Sequence, residues 1–170
     1  ELMRVNHLYS PSQLSAGQAL YIPGVGAPVL TPPVYRAAVS QNIRDLVGPK
    51  VFSSNWRTIT VHHSGTSRGS ARAFDRDHKR RRMGGLFYHF VIGNGTSTPD
   101  GEVEVGWRWK KQVKANRPND IQICLVGNFD NEYVSDTQFN QLADLISILM
   151  EQYLIPLSNI RKHCEIKGKA

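Results

Sequence analysis

Residues 120–129 read DIQICLVGNF, a continuous apolar run that reaches a glycine at 127. So short and continuous a stretch reads as a strand of the fully buried kind, which needs other elements packed on both of its faces. A chain that carries such a strand is committed to a layered architecture. At 170 residues this one has the length for one well-buried domain with a short extra segment.

The elements around that strand can be read from periodicity. WRTITVHHS, opening at Trp56, is a second strand, in which alternation sets Thr58, Thr60 and His62 on one face and Ile59, Val61 and His63 on the other. LFYHFVIG and EVEVGWRWK read as further strands separated by a turn rich in Gly, Ser, Thr and Pro. GSARAFDRDHKRRRMGG predicts an amphipathic helix from about Ser70, ended by Gly84 and Gly85. Ser135 and Gln138 form a capping box ahead of Phe139, Leu142, Ile146, Leu149, Met150 and Tyr153, which recur at helical spacing. YRAAVSQNIRDLV has the spacing of a short helix stopped by Gly48-Pro49, and Pro156 opens a last short helix, PLSNIRKH. The order β, α, β, β, β, α predicts a mixed α/β fold, a central sheet flanked by helices.

Ahead of this domain, residues 1–23 suggest a compact unit of helix, polar loop and alternating strand, and residues 24–34 read as a Pro/Gly linker. In its RVNHL and AGQALYIPG stretches the first unit resembles the second half of a lysin motif, a small carbohydrate-binding module; an N-terminal arm packed on the main domain is the alternative. The main domain then runs over residues 35–170.

Lys and Arg number 21 against 14 Asp and Glu, a formal charge of +7, so an anionic partner is expected: nucleic acid, acidic polysaccharide or a membrane surface. No apolar stretch approaches the ~20 residues needed to span a bilayer. The chain opens on Glu1 without a basic-then-apolar leader, so any targeting signal is expected to have been removed or never included. Of the two cysteines, Cys124 lies in the apolar run and Cys164 beside His163, which suggests one buried and one exposed thiol rather than a disulfide.

Spacing alone does not make His62 and His163 metal ligands, since a lone strand histidine is more often a core or surface residue. The motifs carry more. TVHHSGT, FYHFVIGNGT, NDIQICLVGNF and RKHCEI, in that order over roughly residues 50–170, resemble the successive motifs of the type 2 N-acetylmuramoyl-L-alanine amidases, zinc enzymes of the peptidoglycan recognition protein superfamily.

The resemblance implies zinc as cofactor, His62 and His163 as two of its ligands, and a third ligand, Cys or Asp, beyond Ala170, so that the domain is C-terminally incomplete here. Cys164 is a poor substitute, being adjacent to His163. Tyr88 matches a tyrosine that assists proton transfer or holds the tetrahedral intermediate, although by position alone it is a strand aromatic of the core. Lys169, with Lys167 as the alternative, matches a donor to the developing oxyanion, against the plain reading of a frayed charged tail. Trp107, Arg108 and Asn119 match substrate-cleft positions, with at least one tryptophan of the VGWRW stretch expected in the core. The stretch KKQVKANRPN departs from the pattern, lacking a histidine that many members carry there.

The function implied is zinc-dependent hydrolysis of the amide between N-acetylmuramic acid and L-alanine, with peptidoglycan, both glycan strand and stem peptide, as partner. The place of action is the cell envelope, periplasmic or secreted, and the expected state is a monomer. A peptidoglycan-binding module without catalysis is the alternative. Nucleic-acid binding through RDHKRRR is not expected, because no nucleic-acid motif accompanies that run and a basic helix face is usually solvated.

Overall fold

The computed structural model describes residues 41–165, which form a five-stranded sheet with helices on both faces. Helix α1 is described over Gln41–Val47, followed by β1 (Thr58–His63), α2 (Ala71–Arg80), β2 (Phe90–Ile92), β3 (Val103–Val105), α3 (Trp107–Lys110), β4 (Asp120–Leu125), α4 (Asp136–Tyr153) and β5 (Ile160–Lys162). The strand order is β3-β2-β4-β1-β5, with β3 antiparallel and the remaining pairs parallel. The expected lysin-motif half, the linker and Lys169 lie outside the described residues.

The apolar run takes the centre, as its composition requires. Every residue of β4 is buried, and alternation divides its side chains between two cores. Ile121, Ile123 and Leu125 join Ile59, Phe90 and Ile92 under α1 and α4, whereas Cys124 joins Val91, Leu86 and Val126 on the face covered by α2. The polar face of β1 is turned toward α2 as well, so Thr60 and His62 lie beside Asp120 and Gln122 rather than in the large core.

Four local expectations are corrected. EVEVGWRWK is a strand only as far as Val105, because Gly106 approaches the backbone so closely that a Cβ there would lie 2.4 Å from the Tyr88 carbonyl oxygen. The chain turns into α3 instead, which carries Trp109 into the core with its indole N–H on the Val47 carbonyl oxygen at 3.0 Å.

PLSNIRKH makes one 3₁₀ turn and then β5, whose backbone pairs with the open edge of β1. Helix α2 ends at Arg80, before the glycines, because Arg82 already takes a left-handed conformation.

At the start of α4, Ser135 caps the Gln138 N–H as expected, but the Gln138 side chain does not return the bond. It is buried and donates to the carbonyl oxygens of Ile92 and Val126, which rotates the buried stripe onto Leu145, Ile148 and Leu149 and leaves Phe139 61% exposed.

Candidate active site

Parallel pairing of β5 with β1 decides where the two motif histidines meet. Val61 is in register with Lys162, so His62 and His163 are the next residues at the C-terminal ends of adjacent strands, the end at which ligands bind in open α/β sheets. Their imidazoles stack with centroids 4.4 Å apart and planes inclined by 29°. Both are half-buried and line a cleft of about 240 Å³ bounded by α2, the segment before β2 and the loop before β4.

Two half-buried imidazoles this close can turn one nitrogen each toward a single ion, and neutral imidazole is a preferred zinc donor. They therefore fit two positions of a zinc site. Among the described residues no group of three His, Cys, Asp or Glu comes together, and Cys164 is exposed.

The cleft is lined by aromatic and cationic groups. Phe87 and Tyr88 face the His62 ring at centroid distances of 6.0 and 5.4 Å. Arg81 and Arg117 enter the cleft with Asn116, and no carboxylate is among the described residues that line it. His78, at the base of α2, accepts the Phe87 N–H through Nδ1, and burial holds its pKa below the ordinary histidine value. Gln122 Oε1 lies 2.5 Å from His62 Nε2.

The other sequence-predicted residues divide. Tyr88 edges the cleft with its ring, but its hydroxyl turns inward to the Cys124 thiol; burial first, and that contact second, raise its pKa. The Cys124 thiol is itself pushed up to about 12 by burial.

Trp107 lines a separate cavity of about 420 Å³ on the other side of α2, with Arg72 and Leu86. Arg108 lies over the Trp107 ring at 4.5 Å and donates to the carbonyl oxygens of Leu86, Lys114 and Met83. Asn119 is at the N-terminal end of β4, in a left-handed turn, where its carbonyl oxygen accepts the N–H groups of Arg57 and Thr58. His62 stands at the other end of β1, so the structure does not bring Asn119 to the histidines.

Gln122, His78, Arg81, Asn116 and Arg117 are cleft residues that sequence reasoning passed over. A signal existed for one of them: Gln122 interrupts a buried apolar run, and a buried amide needs a partner.

A family model described as Amidase_2: N-acetylmuramoyl-L-alanine amidase matches residues 52–170. Among solved structures, the chain is similar to the endolysin N-acetylmuramoyl-L-alanine amidase LysCS from Clostridium intestinale URNW, at 25% identity and a TM-score of 0.51, covering 72% of this chain and 78% of that one. It shares its fold with human PGRP-IBETAC, solved in complex with glycosamyl muramyl pentapeptide, at 15% identity and a TM-score of 0.54 over 74% of this chain and 85% of that one. Bumblebee PGRP-SA shares it at 16% identity and a TM-score of 0.53 over 68% and 74% of the two chains. No curated protein matches the chain.

Proposed function

Because the chain belongs to the N-acetylmuramoyl-L-alanine amidase family, whose model covers residues 52–170, we propose that it hydrolyses the amide joining the lactyl group of N-acetylmuramic acid to L-alanine in peptidoglycan, using zinc held by His62 and His163. The observation that carries this reading is the stacked pair of imidazoles, 4.4 Å apart, at the mouth of the cleft. A third ligand would come from outside the described residues.

Zinc bound at such a site supplies a Lewis acid for the scissile carbonyl and lowers the pKa of water to about 7, which is what cleavage of an unactivated amide at neutral pH requires. The chain's own residues do the rest. Arg117, together with Arg81 in its ion pair with Asp77 at 2.8 Å, gives the cleft a positive rim that suits the carboxylates of a stem peptide and orients the peptide in it. Phe87, Tyr88 and Met83 form an apolar wall that keeps bulk water from the scissile bond. A partial lysin motif at residues 1–23 would hold the domain on glycan. The substrate sets the compartment, the cell envelope or the medium outside the cell; no helix among the described residues is long and apolar enough to cross a membrane.

The test is zinc content by mass spectrometry together with release of peptide from a muramoyl-L-alanyl peptide, with His62→Ala as control. About one zinc per chain and cleavage, both lost in the variant, support the reading. Binding of muropeptide without zinc and without cleavage would replace it with a recognition module.

A further inference from the structure

Gln122 is the polar interruption of the buried strand β4, 2% exposed, with its side chain turned into the cleft. Its backbone N–H is held by His89 Nδ1 at 2.9 Å, so the residue cannot shift along the strand. Its Oε1 stands against Nε2 of His62. An amide oxygen only accepts, so the imidazole must donate there, and a neutral imidazole that carries its proton on Nε2 has its lone pair on Nδ1. Packing limits the movement of the ring, which is flanked by His163 and Tyr88 at 4.4 and 5.4 Å.

We propose that Gln122 is a positioning residue that selects the Nε2–H tautomer of His62 and presents Nδ1 as its metal-binding nitrogen. This rests on the reading of His62 as a zinc ligand, but the tautomer is a property of the metal-free protein and can be measured without the ion. The geometry also explains why an amide stands in a strand otherwise made of apolar side chains. Hydrogen bonds of this kind to the second nitrogen of a ligating histidine hold the ring and raise its basicity, and their loss costs about 10–100-fold in metal affinity.

The experiment labels histidine with ¹⁵N and reads the His62 tautomer in metal-free protein at mildly alkaline pH, then titrates zinc against a competing chelator, for the native chain, Gln122→Met and Gln122→Glu. The native chain is expected to show one tautomer, protonated at Nε2. Gln122→Met, close in size and without the acceptor, is expected to show a mixture and to bind zinc about tenfold or more weakly. Gln122→Glu, which keeps an acceptor oxygen, is expected to restore both. A native-like tautomer and native zinc affinity in Gln122→Met overturn the proposal. Should the native chain take up no zinc, the zinc reading fails by itself, and the tautomer comparison still decides the role of Gln122.

Discussion

His89 accepts the backbone N–H of Gln122 through Nδ1 at 2.9 Å, and its Nε2 reaches the Val113 carbonyl oxygen at 3.0 Å. One nitrogen accepts and the other donates, so the bonded form is the neutral ring. The residue is fully buried, with Trp56 edge-on at 4.9 Å, and burial lowers its pKa from 6.5 to about 4.

A folded-state pKa below the unfolded value means that the unfolded chain binds more protons between the two. The contribution is whole above about pH 6.5 and is lost as pH falls toward about 4. Its size is on the order of 3 kcal/mol. The expected result is a melting temperature that drops through that window, with NMR showing His89 still neutral at pH 5. A His89 that titrates near 6.5 in the folded protein would refute this.

His62→Ala and His163→Ala are expected to leave the fold in place, since both rings are half-buried at the cleft and neither belongs to the apolar clusters. Each is expected to abolish stoichiometric zinc and to cut amide cleavage by at least about 10²-fold, the share of several kcal/mol in transition-state stabilisation. Circular dichroism alongside the zinc and activity assays separates loss of ligand from loss of fold. Full activity in either variant would remove that imidazole from the site.

His62 was legible in the sequence because two signals agreed, strand alternation putting it on the polar face and the ordered motifs singling out the same residue, whereas His163 was singled out by the motifs alone. The residues that surround the pair were less legible. Gln122 and His78 reach the cleft through pairing of β1 with β4 and packing of α2, contacts between positions distant in the chain that no local spacing encodes. Arg108 and Asn119 were singled out by their motifs, and the structure places both outside the cleft: backbone carbonyl oxygens take the Arg108 guanidinium, and Asn119 lies at the opposite end of β4, its own carbonyl oxygen accepting from Arg57 and Thr58. Trp109 shows the limit of period-two reading, since one glycine at 106 turned an apparent strand into a helix.

Tyr88→Phe separates two uses of the phenol. Because its hydroxyl is turned to the Cys124 thiol, the expected loss is structural, about 1 kcal/mol or less for a bond to so weak an acceptor. Cleavage is expected to fall by less than about tenfold. A fall of 10²–10³-fold, the range for loss of an oxyanion donor, would show instead that the hydroxyl swings into the cleft during reaction.

Ser135 sits at the N-terminus of α4, where its Oγ accepts the Gln138 N–H at 3.0 Å and donates to the Asp100 carboxylate at 2.9 Å. Ser135→Ala is expected to lower stability by about 1 kcal/mol in denaturant titration. Zinc content should not change, because α4 packs on the face of the sheet opposite the cleft. A loss of zinc on this substitution would mean that the two faces are coupled more tightly than their separate cores suggest.

Arg108 joins both rims of the cleft without entering it. Its Nε donates to Leu86 at 2.9 Å, one terminal nitrogen to Lys114 at 2.8 Å and the other to Met83 at 3.3 Å. Met83 and Phe87 on one side, and Asn116 and Arg117 on the other, are the cleft residues that these anchors hold. Arg108→Ala is expected to cost about 2–3 kcal/mol of stability, as charged hydrogen bonds at a half-buried site are lost. It should also raise KM while leaving kcat within a few-fold, since the rims lose their fixed spacing and the histidine pair does not. Arg108→Lys is not expected to rescue it, because an ammonium group cannot serve three carbonyls from a planar fork. A lysine variant with native stability and native KM would show that the charge, not the fork, is what the cleft requires.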